Sequence, residues 1–288
     1  MSQQVSIIGC GYTGQRLAER FLIAGKCVRG LSRRIERPGQ MARLGLECFS
    51  LDLDATVEQV DVSGHLVYFT VPPAPAQRDE RLFRFLNAIW GAPARLIYIS
   101  TTGVYGDQGG ATVNEDAPPA PRSERAYRRL ASENMMREWA EMRGVSWCIL
   151  RVPGIYGPGR LPLDRLIQAN PAITPADATP GNRIHVTDLV SACMNAGLVP
   201  RANGRIYNVT DGSDESHSEF LQRVARIAHL PFPPLISRAE AERTFSPLLW
   251  SYLVESRRVD NGRMLAELGV VLQYADLDAG IRASLMVA

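Results

Sequence analysis

Short apolar runs alternate with helical patterns through the first half of the chain. Two intervening segments, 15–24 and 81–90, repeat apolar residues at spacings of three and four, which is typical of amphipathic helices. The runs that predict strands cover residues 5–8, 27–32, 47–51, 65–70, 95–100 and 146–151. Strands that alternate with helices are typical of a parallel sheet covered on both faces. We therefore predict an α/β fold built on a doubly wound parallel sheet.

The pattern changes after residue 151. Segments rich in proline and glycine, 154–162 and 169–181, are followed by a helical pattern over 187–197 and a strand pattern over 206–209. From about residue 213 the chain is mainly helical in pattern. We predict a core of residues 1–156, to which 184–212 return, and a small, mainly helical C-terminal lobe of residues 157–183 and 213–288 that supplies substrate contacts.

Composition narrows the ligand to a small molecule. The 288 residues are 45% apolar, and 32 Lys and Arg nearly balance 30 Asp and Glu without a basic segment interleaved with aromatics. The five cysteines and four histidines are widely scattered, so we expect reduced core thiols and no metal site. No apolar run approaches the roughly 18 residues that span a bilayer. We expect a cytoplasmic protein that binds neither nucleic acid nor membrane.

A glycine loop follows the first predicted strand. The segment VSIIGCGYTG carries G-x-G-x-x-G as Gly9, Gly11 and Gly14, and it opens a predicted helix through Tyr12 and Thr13. In this context the first glycine permits a tight turn, the second lets backbone approach a pyrophosphate, and the third lets helix and strand pack closely. We predict a dinucleotide site in a Rossmann sheet.

The end of the second strand indicates which dinucleotide binds. An acid there holds the ribose 2′-hydroxyl of NAD, whereas arginine accommodates the 2′-phosphate of NADP. The sequence has Ser32, Arg33 and Arg34 at this point. NADP is therefore favoured, and NAD remains the alternative. Asp52, after the third strand, is predicted either to accept a hydrogen bond from the adenine amine or to cap a helix.

Five further motifs follow the glycine loop in order along the chain. They are YISTTGVYGD at 98–107, ILRVPGIYGPGR at 149–160, RIHVTDLVSA at 183–192, YNVTDG at 207–212 and RRVDNGRMLAELG at 257–269. Together they resemble the short-chain dehydrogenase/reductase superfamily, in particular its extended branch of NAD-dependent sugar epimerases and dehydratases. The glycine loop departs from the G-x-x-G-x-x-G of that branch and is similar to atypical members.

The resemblance implies roles for residues near the fifth strand and the following helix. Thr101 takes the position of the Ser or Thr that hydrogen-bonds the substrate oxygen, with Ser100 and Thr102 as alternatives. The family pattern K-L-x-x-E-N matches RLASEN at 129–134 and puts Arg129 at the position of the lysine that holds the nicotinamide ribose. Counting back four residues puts Arg125 where the family has its proton-transferring tyrosine, and Tyr127 is two residues out of register.

Two hypotheses follow from this mismatch. The first is an NADP-dependent oxidoreductase or epimerase-like enzyme acting on a carbonyl or sugar-type substrate, with proton transfer by Tyr105, Tyr127, Tyr156 or the substrate itself. The short segment 157–181 favours a small or non-nucleotide substrate. The second is a non-catalytic sensor of NADP(H), since atypical members of the superfamily include such proteins. The resemblance also implies that a homodimer, if it forms, would pair through helices four and five of the family's fold in a four-helix contact, and the helix at 123–134 is one of these.

Overall fold

A seven-stranded parallel sheet forms the centre of the protein. The computed structural model describes residues 3–33, 38–74 and 80–286. In chain order the strands are β1 (Gln4–Ile8), β2 (Cys27–Ser32), β3 (Glu47–Ser50), β4 (Leu66–Phe69), β5 (Arg95–Thr101), β6 (Trp147–Val152) and β7 (Arg205–Asn208). Their order in the sheet is β3-β2-β1-β4-β5-β6-β7, and every neighbouring pair is parallel. This order reverses direction beside β1, as in the Rossmann fold, so the predicted fold class is confirmed.

Helices connect and surround these strands. Within the described residues they are α1 (Tyr12–Ile23), α2 (Pro38–Arg43), α3 (Glu80–Ala88), α4 (Glu124–Met142), α5 (Leu163–Ile167), α6 (Val186–Leu198), α7 (His217–Ile227), α8 (Arg238–Thr244), α9 (Pro247–Leu253), α10 (Gly262–Leu268) and α11 (Leu277–Leu285). Two 3₁₀ turns lie at Thr102–Tyr105 and Pro200–Ala202. Four short parallel strand pairs join Val60–Asp61 to Ile89–Trp90, Thr112–Val113 to Arg258–Val259, Gly154–Tyr156 to Arg183–His185, and Ala172–Ile173 to Leu235–Ile236.

The helix predicted over 81–90 ends two residues early. Ile89 and Trp90 pair with Val60–Asp61 instead, and the Trp90 carbonyl accepts a hydrogen bond from the Val62 N–H at 3.1 Å. Gly91 follows this strand with φ of 78°, a conformation that favours glycine.

Both faces of the sheet are covered by helices. One hydrophobic cluster joins Ile7 of β1 to Phe21 of α1 and Cys193 of α6, and a second joins the next strand residue, Ile8, to helices α3 and α4 through residues such as Phe85. Successive side chains of a strand point to opposite faces, so α1 and α6 lie on one side and α3 and α4 on the other. Strands buried on both faces carry the near-continuous apolar runs seen in the sequence.

The expected burial of the cysteines holds for three of the five. Cys10, Cys148 and Cys193 are buried, but Cys27 and Cys48 are exposed, so the expectation of a core position is wrong for these two. Both lie at the start of strands near the β3 edge, where the sheet has less cover; β3 itself is exposed along its length.

A third hydrophobic cluster lies outside the main sheet. It packs α5, α7 and α11 together through residues such as Leu166, Val224 and Ile281. In contrast, α10 contributes Met264 and Leu268 to the cluster on the main sheet, although it belongs to the segment 213–288. The division into core and lobe stays a prediction.

Candidate functional site

A cavity of about 900 Å³ opens at the carboxyl ends of the central strands. Its wall contains residues that follow β1, β2, β4, β5 and β6, together with residues 179–182, His217 and helix α9 from the second half of the chain. In open parallel sheets ligands bind at this edge, where the strand order reverses. The cavity is therefore the candidate site, and it extends from the glycine loop to the C-terminal helices.

The three glycines of the loop meet different surroundings. Gly9 has φ of +93°, and a Cβ there would lie 2.7 Å from Thr70 Oγ1. A Cβ on Gly14 would lie 2.8 Å from the Gly9 carbonyl oxygen, whereas one on Gly11 would meet nothing within 4 Å. Gly9 and Gly14 thus allow a tight turn and close packing, and Gly11 leaves space at the cavity wall for a ligand to approach the backbone.

Helix α1 begins at this cavity without a side-chain cap. Gly11 is its N-cap residue, so no side chain caps the N–H groups of the first turn, whose residues line the cavity. Tyr12 and Thr13 also lie in the wall. Free N–H donors and the positive end of the helix dipole suit an anion such as a pyrophosphate. The residues present therefore fit a dinucleotide cofactor, with this helix end holding its phosphates.

Tyr12 is fixed between two loops. Its hydroxyl donates to the Pro158 carbonyl at 3.0 Å, and the guanidinium groups of Arg16 and Arg160 lie 3.9 and 4.0 Å from its ring centroid. Burial raises the pKa of the Tyr12 phenol, although both arginines act in the opposite direction. The residue thus joins the glycine loop to the segment that follows the short strand Gly154–Tyr156.

The wall beyond β2 contains an acid that the sequence analysis did not single out. Ser32 and Arg33 lie in the wall, while Arg34 lies outside the described residues. Asp52 is not among the wall residues; its Oδ1 accepts a hydrogen bond from the Asp54 N–H at 2.9 Å, which is a local turn. Asp54 lies in the wall in its place. The repeat of two acids in SLDLD is the one sequence signal for it.

The end of β5 brings three hydroxyl groups to the cavity. The Ser100 hydroxyl donates to the Glu133 carboxylate, which also pairs with Arg151 at 2.8 Å, and Thr102 is buried. Thr101 is partly exposed in the wall, and its hydroxyl accepts a hydrogen bond from the Gly103 N–H at 3.2 Å. Because that oxygen only accepts in this contact, its proton remains available to a substrate oxygen.

Helix α4 brings two arginines to the wall and leaves its tyrosine outside. Arg129 Nη1 donates to the Ile99 carbonyl at 3.1 Å and to the Tyr98 hydroxyl at 3.0 Å, so the side chain braces β5 beside the cavity. Tyr127, one half turn away, is 58% exposed and is not a wall residue.

Arg125 connects α4 to α9. Its guanidinium donates to Ser251 Oγ at 2.6 Å and to the Ser251 carbonyl at 3.2 Å, and it lies 3.5 Å from the centroid of the Tyr252 ring. Arg125, Tyr252 and Leu253 all line the cavity. Arg125, at the position that the family pattern assigns to the proton-transferring tyrosine, therefore holds helix α9 at this end of the site.

The other tyrosines proposed for proton transfer are buried away from the wall. Tyr105 donates its hydroxyl to Asn208 Oδ1 at 2.8 Å, and burial raises the pKa of both Tyr105 and Tyr156. Neither residue lines the cavity. Besides Asp54, two titratable wall groups that the sequence did not indicate are His217 and Glu255. Burial lowers the pKa of His217 to about 4, so its imidazole is neutral near pH 7, and Glu255 accepts a hydrogen bond from Arg257 at 2.6 Å.

The described ranges contain no group of three or more His, Cys, Asp or Glu side chains placed to hold a metal ion. No helix in these ranges is long and apolar enough to cross a membrane.

Known proteins resemble the chain in sequence and in fold. Protein YeeZ of Escherichia coli strain K12 is 26% identical over 296 residues, which cover 95% of this chain and 97% of YeeZ. A functionally unknown conserved protein from Silicibacter pomeroyi has a solved structure that matches with a TM-score of 0.80 and 26% identity over 99% of each chain. The structure of MoeE5 in complex with UDP-glucose and NAD matches with a TM-score of 0.77 at 22% identity, covering 99% of this chain and 98% of MoeE5, and shows a shared fold.

A family model identifies the group to which these features belong. The model of the NAD dependent epimerase/dehydratase family matches residues 5–210, which include the glycine loop, the β5 end and the sheet as far as β7. Because the match covers well over half of the chain, this protein belongs to the NAD-dependent epimerase/dehydratase family.

Proposed function

We propose that the protein is an NADP-preferring oxidoreductase or epimerase-type enzyme acting on a carbonyl or sugar-type small molecule. The observation that carries the proposal is the continuity of the cavity, which runs from Arg33 and the uncapped start of α1, past Thr101, to helix α9. One cavity can therefore hold a dinucleotide and a second molecule end to end. When bound, the nicotinamide supplies or accepts a hydride.

The chain's own residues supply binding and polarisation in this scheme. Thr101 donates a hydrogen bond to the substrate oxygen, which increases the electrophilic character of a carbonyl carbon. Arg129, fixed on β5, keeps a positive charge beside the nicotinamide end. Arg125 is a poor proton donor near neutral pH, because a guanidinium has a pKa above about 12. Proton transfer therefore uses the substrate itself or another wall group.

The substrate class is proposed on two grounds. MoeE5, which shares the fold, binds UDP-glucose together with NAD, and this supports a sugar-type molecule at the α9 end of the cavity. The short segment 157–181 argues for a smaller molecule than a full nucleotide sugar. A cytoplasmic location, where nicotinamide cofactors are abundant, fits this activity, and cell fractionation tests it.

A non-catalytic NADP(H) sensor is the second candidate, and the contacts of α4 favour it. Arg125 is engaged with α9, Arg129 is engaged with β5, and Tyr127 faces away from the cavity. The helix that performs proton transfer in the family's enzymes is here a structural brace. A sensor needs the cofactor end of the cavity and no chemistry at Thr101.

Titration of the purified protein with NADPH and NADH, followed by assays with panels of carbonyl compounds and nucleotide sugars, separates these candidates. Substrate-dependent change in reduced-nicotinamide absorbance that Thr101→Ala reduces and Thr101→Ser retains supports the enzyme. Binding that raises the melting temperature by mass action, with no turnover on any panel, supports the sensor. If neither dinucleotide binds, both candidates are wrong.

A further inference from the structure

Three charged side chains form a cluster at the end of the cavity beyond β2 and β3. Asp54 Oδ2 lies 2.9 Å from Arg33 Nη1 and 2.8 Å from Arg81 Nη2, and Asp54 Oδ1 lies 2.6 Å from Arg81 Nε. All three residues line the cavity. They come from distant segments, since Arg33 follows β2, Asp54 follows β3 and Arg81 belongs to α3.

Among the described residues of this wall, the cluster holds two cations against one anion. The neighbouring Arg84 is paired with Glu80 at 2.8 Å and with the Leu53 carbonyl at 2.9 Å, and it is not a wall residue. Arg33, Asp54 and Arg81 therefore carry one net positive charge. The hydrogen bonds from Arg81, and secondarily the charges of both arginines, lower the pKa of Asp54, so its carboxyl is ionised at neutral pH.

The two arginines differ in freedom. The Arg33 side chain is 61% exposed and makes a single contact with Asp54, whereas that of Arg81 is 15% exposed and also donates to the Pro72 carbonyl at 3.2 Å. Arg81 is thus fixed at the wall while Arg33 can move. A planar guanidinium binds a phosphate through two parallel hydrogen bonds as well as it binds a carboxylate.

We propose that Arg33 and Arg81 together bind the 2′-phosphate of an NADP-type cofactor, so that Arg81 is the second arginine that recognises this phosphate. In the absence of the cofactor, the Asp54 carboxylate occupies the place of the phosphate. The inference rests on the proposed dinucleotide function and extends it to residues outside the β2 end. A dianionic phosphate satisfies two guanidinium groups better than one carboxylate does, so it displaces Asp54 from them. The 2′-hydroxyl of NAD(H) carries no such charge and leaves the cluster intact.

Substitutions in the cluster therefore change the ratio of the two cofactor affinities. Arg81→Gln removes one phosphate ligand and lowers NADPH affinity about tenfold, with little change for NADH. Asp54→Asn removes the competing charge and raises NADPH affinity relative to NADH. Arg137→Gln, on α4 and outside the wall, is the matched control and leaves the ratio unchanged.

The test uses the full chain and two sets of titrations at one fixed salt concentration. Fluorescence titration with NADPH and NADH gives the affinity ratio for wild type and each variant. Thermal shift with adenosine 2′,5′-bisphosphate and adenosine 5′-diphosphate isolates the phosphate position from the nicotinamide. Arg81→Lys, which keeps the charge and loses the paired hydrogen bonds, replaces Arg81→Gln if that variant does not fold.

Several outcomes overturn the inference. Equal losses for NADPH and NADH in Arg81→Gln make Arg81 a structural residue, and weaker NADPH binding in Asp54→Asn makes Asp54 a support for Arg81 and not a competitor. If neither dinucleotide binds, the proposed function is wrong, yet the inference still stands when the 2′,5′-bisphosphate stabilises the protein more than the 5′-diphosphate. Equal stabilisation by these two nucleotides overturns it in every case.

Discussion

Gly11 and Gly14 belong to one motif but should respond differently to the same substitution. Gly11→Ala places a methyl group in open space at the cavity wall, so the free energy of unfolding should fall by only about 1 kcal/mol, the difference between glycine and alanine at an N-cap. The methyl group should weaken NADPH binding about tenfold, because it occupies the approach to the pyrophosphate.

Gly14→Ala should instead destabilise the unliganded protein by about 1–3 kcal/mol, since its Cβ would lie 2.8 Å from a backbone oxygen. Urea unfolding and NADPH titration of both variants check the pair. Undiminished binding by Gly11→Ala would contradict a pyrophosphate at this loop.

At the scale of single residues, sequence reasoning identified positions near the site more reliably than the contacts they make. It reached Thr101 through a motif, and the structure adds that Ser100 is engaged with Glu133. It named Asp52 as a partner of the adenine amine or a helix cap, and in the structure that carboxylate accepts a hydrogen bond from the Asp54 N–H. Asp52 and Asp54 are only two residues apart, and nothing in the pattern SLDLD indicates which of the two side chains faces the cavity.

At the scale of elements, α4 acts as a brace between the sheet and α9. Arg125→Ala removes two hydrogen bonds and a cation–π contact that hold α9, a helix with no buried residues of its own. Amide hydrogens of residues 250–254 should then exchange about tenfold faster, as loss of roughly 1–2 kcal/mol of local stability requires. Hydrogen exchange with mass spectrometry measures this effect.

Arg128→Ala is the matched control on the same helix. Its side chain contacts the exposed Glu124 at 3.5 Å, and such a surface pair contributes about 0.3–0.5 kcal/mol. Exchange in 250–254 should remain at the wild-type rate. Equal acceleration in both variants would show that α4 as a whole, and not Arg125, supports α9.

Strands and helices were largely predictable where their buried residues give the sequence an apolar pattern. All seven strands of the main sheet form within about a residue or two of the predicted ranges. For the inner strands β4, β5 and β6 this follows because strands buried on both faces need continuous apolar runs. Helix α9 was not predicted individually. Its segment PLLWSYL exposes Leu248 and Tyr252, so it lacks the one-sided apolar pattern by which surface helices are recognised.

At the scale of the whole molecule, the site depends on contacts that the sequence does not reveal. Ser256 illustrates the point: its N–H donates to Asp107 Oδ1 at 2.9 Å, and its carbonyl accepts from the Gln108 N–H at 2.9 Å. These bonds bring the segment with Glu255 and Arg257 to the loop after β5, which lies about 150 residues earlier in the chain. Local propensity carries no information about such pairing, and only the folded backbone shows it.

A homodimer through α3 and α4 is the remaining proposal at this scale. The two helices pack side by side on one face of the sheet, and each exposes a large aromatic side chain, Phe83 and Tyr127, both 58% exposed. Burying such rings against a second copy is favourable, since a large apolar side chain contributes about 1.5–3 kcal/mol. Sedimentation across a concentration range should therefore show twice the chain's mass.

Phe83→Asp with Tyr127→Asp should give a folded monomer, whereas Val271→Asp, at an exposed position on another part of the surface, should leave the dimer intact. A wild-type monomer at every concentration, or a dimer that survives the double substitution, would remove these helices as the interface.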